Sequence, residues 1–347
     1  LPVNSSQSNL FVNSLLEDTG RQCIWIGTEG YLFQYFPSTG QMKQTEAFHN
    51  NSIKSLALDG NGDLLAGTDN GLYVYHNDVT PLQHIIHDSR NIQSLTNNII
   101  WNIFADQEHN IWLGTDYGIS LSRYNSALQF IPISQITGTG DGNQFYSLFR
   151  DSKGFYWFGG TNGLIRFTDP AGDKHNAIWY RMGDKTYPLS HNRIRHIYED
   201  KEQQLWIATD GSINRYDYAT RQFVHYNIVD STGTYNTNWT YYMFEDNAGH
   251  LWISTCLGGI FVVDKHRLMQ SASGQYVAEQ NYSVHNGLSG MFINQIIPDN
   301  EGNVWVLLYN NKGIDKINPR TREVTKLFAD ELNGEKSPNY LLCDEDG

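Results

Sequence analysis

Seven segments of this 347-residue chain align on one another. They are IWIGTEG (24–30), LLAGTDNG (64–71), IWLGTDYG (111–118), YWFGGTNG (156–163), LWIATDG (205–211), LWISTCLGG (251–259) and VWVLLYNNKG (304–313). Their shared slot falls at Trp25, Leu65, Trp112, Trp157, Trp206, Trp252 and Trp305, with spacings of 40 to 53 residues. An aspartate travels in phase with that slot. Asp59, Asp106, Asp151, Asp200, Asp246 and Asp299 each precede it by six residues, and Asp18 precedes Trp25 by seven. A period in this range is the mark of a repeat architecture in which each copy is one supersecondary unit.

Each copy reads as four short strands. In the fifth, RIRHIYED (193–200) is followed by a turn at KEQQ and by LWIATD, then by INRYD (213–217) and FVHYNI (223–228). Alternation, β-branched and aromatic residues, and Gly, Asn and Asp boundaries favour strands. No segment sustains a 3.6-residue period over a helix length. The turn aspartates can accept backbone N–H bonds two residues on and so set the first hairpin. One four-stranded sheet cannot cover both its faces, whereas a radial array buries each face against a neighbour. The expectation is an all-β chain: a seven-bladed β-propeller of four-stranded antiparallel blades over residues 1–336. Residues 337–347 contain NYLLCDEDG, which matches YMFEDNAG (242–249) and reads as the start of a further propeller repeat. A closing strand of the first propeller is the alternative.

The stretches LTNNIIWNIFADQEHNIWLGTDYGISLSRYN (95–125) and LSHNRIRHIYEDKEQQLWIATDGSINRYD (189–217) resemble the two-component regulator propeller repeat. The resemblance covers essentially the whole chain. It implies the N-terminal propeller of the periplasmic sensor region of a Bacteroidetes-type hybrid two-component system, held by an inner-membrane protein. A second propeller and an immunoglobulin-like domain would follow in the same chain, then a membrane helix, a histidine kinase, a receiver and a DNA-binding domain. Phosphorelay and transcription regulation would be the output, an oligosaccharide the inducer, and the full-length protein a homodimer. The departures are Leu65 in place of Trp, the extra Gly at Gly159-Gly160, and Leu307-Leu308 where Gly-Thr stands elsewhere. They read as packing adjustments.

Composition narrows the chemistry. The net charge is −13, and phosphate binding needs concentrated Lys and Arg, so this domain is not expected to bind nucleic acid or an anionic membrane. No run approaches the roughly 20 apolar residues of a membrane-spanning helix. Cys23, Cys256 and Cys343 form no CxxC and have no His at metal spacing, and read as inert thiols. Asp59-Gly60-Asn61-Gly62-Asp63 only faintly suggests a calcium loop, lacking the downstream Glu. Neither HExxH nor GxSxG occurs. No catalytic residue, metal site or cofactor is therefore expected, and this fragment reads as no enzyme.

A propeller scaffold leaves function to its loops. Those entering the first strand and those joining the second to the third share one face. Aromatic rings there can stack on sugar C–H surfaces, while Asn and Arg bond hydroxyls. The candidate ligand residues are Asn98, Trp101, Tyr117, Asn162, Arg193, Trp239, Tyr241 and Tyr309. The polar segments 134–144, 229–238 and 270–290 are long, and long loops without structure of their own are often functional. The cluster His191-Asn192-Arg193-Ile194-Arg195-His196 could meet an anionic group or simply pair with local acids. The reading is a ligand-sensing propeller that signals by domain rearrangement. The alternatives are a single-propeller enzyme of the streptogramin-lyase kind and a protein-interaction scaffold.

Overall fold

A computed structural model describes residues 11–45, 51–76, 83–91, 93–124, 131–132, 144–168, 177–186, 188–271, 275–309, 313–327 and 340–343. Seven antiparallel sheets follow one another along the chain, each built from four consecutive strands in sequential order except where noted below. The fold is that of a seven-bladed β-propeller. The chain forms two compact units, one carrying blades one to four within residues 10–179, the other blades five to seven within residues 180–347.

The fifth blade shows the pattern. Its strands are Ile194–Glu199, Leu205–Thr209, Ser212–Asp217 and Gln222–Val229. The turn between the first two is held by Asp200. One carboxylate oxygen, Oδ1, accepts the backbone N–H of Glu202 (2.9 Å) and Gln204 (2.8 Å). The other, Oδ2, accepts the indole N–H of Trp206 at 2.9 Å. The same indole-to-carboxylate bond joins Trp112 to Asp106, Trp157 to Asp151, Trp252 to Asp246 and Trp305 to Asp299, at 2.8–3.0 Å. Trp25 reaches Asp18 likewise, at 3.0 Å. The two markers that recur in the sequence are thus bonded partners. Residue three of the turn takes a positive φ, which suits glycine, as at Gly62, Gly154, Gly249 and Gly302.

The apolar core lies between blades rather than inside them. Within the first unit, one cluster joins Trp25, Leu32 and Cys23 to Ile53, Leu64 and Tyr73, and another joins Trp112, Ile119 and Leu121 to Tyr156, Phe158 and Phe167. Within the second unit, Trp206, Ile213 and Ile228 pack on Met243, Ile253 and Phe261, and Trp252 and Tyr282 on Ile293, Val304 and Val306. The second strand is buried along its whole length at Leu64–Thr68, Ile111–Thr115, Tyr156–Gly160 and Leu205–Thr209.

Polar ties repeat between the first strands of successive blades. The residue four before the turn aspartate accepts a backbone N–H from the next blade: Ser55 from Ile103 (3.0 Å) and His196 from Met243 (3.4 Å). Gln295 of the seventh blade receives the same bond from Leu341, at 2.8 Å. Leu341 also returns one, its carbonyl accepting the Gln295 amide at 3.1 Å. The matching turn segment, 344–347, lies outside the described residues.

The segment 270–290 differs from the loop expected of it. After the third strand of blade six (Ile260–Asp264) comes a six-residue helix, Lys265–Gln270, capped by the Asp264 side chain accepting from the Arg267 N–H. Gln275–Val277 then adds to blade five as a fifth strand, parallel to Asn227–Val229. Only Gln280–Tyr282 returns to complete blade six. Most of the segment 134–144 falls outside the described residues.

The helix carries Lys265 into a fully buried position. Its ammonium lies 2.8 Å from Glu245 and 3.2 Å from Asp200, both carboxylates also buried, and so links the turn of blade five to blade six. Burial alone would lower its pKa; the bonds to Glu245 and Asp200 outweigh that and hold it above the usual lysine value. Removing one partner of such a pair strands the others without water. Lys265→Met is expected to lower unfolding free energy by about 3 kcal/mol in denaturant titration, with Glu245→Gln added to it restoring part.

His196 lies stacked on Tyr242, ring centroids 4.0 Å apart. Burial lowers its imidazole to about 4 from the ordinary 6.5. The folded state keeps the ring neutral while the unfolded chain protonates, so stability is full above about pH 6.5 and falls as pH drops from there towards 4. Gln295 does the same acceptor's work in blade seven, so His196→Gln is expected to keep stability at pH 7.5. Thermal unfolding from pH 7.5 to 4.5 checks this: the variant should lose less stability than the parent.

Candidate functional site

The first strand of every blade carries a one-residue bulge at one position. The register slips between Val12 and Ser14, Ile53 and Ser55, Phe145 and Ser147, Ile194 and His196, Thr240 and Tyr242, and Ile293 and Gln295. In blade three it slips between Ile100 and Asn102 opposite Gly114-Thr115. The extra residue is Asn13, Lys54, Trp101, Tyr146, Arg195, Tyr241 or Asn294, five before the turn aspartate in each copy. A bulge re-aims a side chain out of the ladder. All seven are half-buried.

The adjoining loops, between second and third strands, are fixed by the threonine that ends the second strand. Thr115 and Thr209 donate to the carbonyls of Gly118 and Ser212 at 2.9 Å, and their oxygens accept the N–H of Tyr117 (3.2 Å) and Gly211 (3.0 Å). That locks the tip that carries Asp116 or Asp210. These acids then meet the bulge residues. The Trp101 indole donates to Asp116. Arg195 donates to both oxygens of Asp210, at 2.6 and 3.1 Å.

Blades five to seven gather the larger group. The Arg195 guanidinium lies over the Tyr241 ring, 4.5 Å from its centroid. Tyr241 meets Phe292 edge-on at 5.3 Å, and Phe292 stacks on Tyr309 at 4.4 Å. Arg193 stands 3.9 Å from Asp210 and is exposed. Trp239 is 48 % exposed and holds φ at +56°. For a residue other than glycine this left-handed backbone is disfavoured. Two bonds hold it there: Trp239 N–H to the Asp210 carbonyl and Cys256 N–H to the Trp239 carbonyl, each 3.0 Å. Beside it Leu257 is 66 % exposed. A hollow of about 210 Å³ runs between Trp239, Leu257, Tyr235, Asn236 and Asn238. A second, of about 430 Å³, lies between Tyr235, Asp230, Glu279, Asn281 and His285.

In blades two to four the candidates are more dispersed. Lys54 lies over the Trp101 ring at 4.4 Å, and Tyr117 is 56 % exposed on its loop tip. Asn98 is engaged structurally: its side chain accepts the His87 N–H at 2.6 Å and its carbonyl the Gly71 N–H at 2.7 Å. Asn162 likewise accepts the Trp179 indole on its carbonyl at 2.9 Å. Arg195 entered the sequence reading only within the 191–196 cluster, and Lys54, Phe292 and Leu257 did not enter it. For the first two the repeat register, five before the aspartate, is the signal that finds them.

Burial pushes the Tyr241 hydroxyl and the Cys256 thiol up, and Arg195 pulls both only partly back, so both stay protonated at neutral pH. Among the described residues no three His, Cys, Asp or Glu side chains gather as metal ligands. No helix among them is long and apolar enough to cross a membrane.

Comparison with known proteins bears on this surface. The family described as "Two component regulator propeller" matches residues 94–117, 139–162 and 188–211. Two crystal structures of the extracellular domain of BT4673 from B. thetaiotaomicron, described as a putative one component system in one and a putative hybrid two component system in the other, are 94% and 95% identical over the whole chain. Their TM-scores are 0.61 and 0.62, and the match covers 47% of each of those chains. Histidine kinase P4 of Formosa agariphila is 26% identical over 263 residues, 68% of this chain and 18% of that protein. The chain thus spans under half the length of these relatives. A virginiamycin B lyase from Staphylococcus aureus shares the fold alone, at 11% identity and a TM-score of 0.53 over 78% of this chain and 82% of that one. Three of the repeats thus match that family, and over its whole length this chain is near-identical to that extracellular domain.

Proposed function

We propose that this propeller is the ligand-sensing part, on the periplasmic side, of a hybrid two-component histidine kinase, and that its ligand is an oligosaccharide. The first half of the reading rests on near-identity to the BT4673 extracellular domain over the whole chain. The second rests on Trp239. An exposed indole held in a disfavoured backbone conformation, next to Tyr235 and flanked by Asn236 and Asn238, suits a sugar ring. Its apolar face stacks on the indole and its hydroxyls meet the amides. Backbone strain of this kind persists where the surrounding structure over-determines it, and it clusters at ligand clamps. Arg193, Tyr241 and Tyr309 extend the surface, with Trp101 and Tyr117 as a separate platform.

Residues 337–347 begin a further repeat in this reading. The Leu341–Gln295 pairing supports it, since it reproduces the bond that joins successive first strands elsewhere. A second propeller and an immunoglobulin-like domain would follow in the same chain, in a homodimeric full-length protein. Ligand binding then signals only if it favours one arrangement of those domains over another.

The test is a glycan panel on the complete extracellular region, followed by calorimetry on the sugar that binds. Trp239→Ala is expected to weaken its affinity by about tenfold or more, equivalent to about 1.4 kcal/mol. A panel with no binding sugar would overturn the ligand class. Binding unchanged by alanine at Trp239, Arg193 and Trp101 would overturn the site.

A further inference from the structure

Blade two is the copy without the indole. Leu65 stands in the slot, and it is buried at the same place in the second strand, Leu64–Thr68. The turn aspartate of that blade is otherwise ordinary: Asp59 Oδ1 accepts the N–H of Asn61 and Asp63, each at 2.8 Å. Its second oxygen, Oδ2, receives no hydrogen bond from the described residues, whereas in the six other blades the matching oxygen takes an indole N–H.

The facing blade is small at the corresponding point as well. In blade three Trp112 packs on Tyr156 and Phe158 of blade four, at 5.0 and 5.1 Å between centroids. The Tyr156 hydroxyl adds a second bond to Asp106, at 3.1 Å. Opposite Leu65, blade three presents Ile111 and Leu113 in those two positions. Two truncations therefore meet at one spot, and a cavity of about 180 Å³ opens there. Leu65, Leu72 and Ile111 lie at its base, each nearly fully covered by its neighbours; Asp59, His109 and Tyr124 wall it. Gly60 closes tightly on that wall: a Cβ there would sit 2.6 Å from the Tyr124 ring and 2.7 Å from His109.

We propose that this inter-blade cavity is a binding site for a planar heteroaromatic ring that carries an N–H donor, an indole-type group, with Asp59 Oδ2 as its acceptor. The other six blades show the occupant that this environment takes: an indole that donates to the carboxylate, packed among apolar side chains at Trp25, Trp112, Trp206 and Trp252. The site is distinct from the Trp239 surface, and neither depends on the other. The ring could be free or the side chain of a tryptophan in a peptide, and the probes separate these.

Titration of the folded chain with indole, followed by nuclear magnetic resonance of the Gly60 and His109 amides, is the direct test. Binding with a dissociation constant on the order of a millimolar or tighter is expected for nine heavy atoms. Benzofuran, which replaces N–H by oxygen, should bind about tenfold more weakly, since it offers the carboxylate no donor. Leu65→Trp should fill the cavity with the chain's own indole, abolish indole binding and raise the melting temperature by about 2 °C or more. Ile111→Tyr, which copies Tyr156, closes the same space from the facing blade and serves if the first variant fails to fold. N-acetyltryptophanamide binding as tightly as indole assigns the site to a peptide side chain; binding of indole alone assigns it to a free ring. No shift at Gly60 and His109 at indole concentrations of about 5 mM, or equal binding by folded Leu65→Trp or Ile111→Tyr, would overturn the proposal.

Discussion

Each blade is organised by one carboxylate. In six copies it ties its own turn through two backbone N–H groups, Asp18 taking one, and in six of seven it accepts an indole N–H; at Trp25, Trp112, Trp206 and Trp252 that indole packs against the next blade. An indole N–H buried without an acceptor would cost about 1–3 kcal/mol, as would a buried carboxylate oxygen without a donor. Each partner answers the other's need. The turn and the indole are therefore held by the same carboxylate, and the first strand's bulge stands a fixed five residues before it, in blade two with Leu65 as in the six blades with an indole.

Other side chains, from the same blade at Asp18 and Asp299 and from the next blade at Asp106 and Asp200, then vary what else reaches the aspartate. Asp18 receives Arg21, Asp106 receives Tyr156, Asp200 receives Lys265, and Asp299 receives Lys316. At Asp299 burial would raise the pKa, but bonds from Asn303, Trp305 and Lys316 hold it down at about 2. Conservation of the pairing across copies with such different third partners separates what builds the scaffold from what a single seam can change. The surface residues follow the same logic. The bulge position tolerates Asn, Lys, Trp, Tyr or Arg because its side chain leaves the ladder, and so can be chosen for what it binds.

Much of this was legible in the amino-acid order. The period, the four strands per copy and the aspartate's place at a turn follow from alternation and spacing. The bond between Asp and Trp was not, because two residues six apart on opposite arms of a hairpin meet only once the register is known. The helix at Lys265–Gln270 is too short to show a period, and the strand Gln275–Val277 forms by pairing with a distant segment of blade five. Of the candidate ligand residues, Trp239, Tyr241, Arg193 and Tyr309 fall on neighbouring blades of one unit, while Asn98 and Asn162 lie in the other, where the Asn98 side chain bonds the His87 N–H and the Asn162 carbonyl the Trp179 indole. Arg195 was visible only as part of a cationic cluster; its role at the bulge required the ladder. Leu65 stood out as an exception, but its cavity depends on Ile111 across the seam, which no single repeat reveals.

The dependence of the fold on the carboxylate–indole pair is open to a double-mutant cycle. Asp151→Ala, Trp157→Phe and the double variant, compared with the parent by denaturant unfolding, measure the coupling between the two side chains across their 2.8 Å bond. A coupling of about 1 kcal/mol or more is expected, with the double variant losing less than the two single losses together. Additive losses within about 0.3 kcal/mol would mean that the pair merely coexists at the seam and that some other contact sets the register.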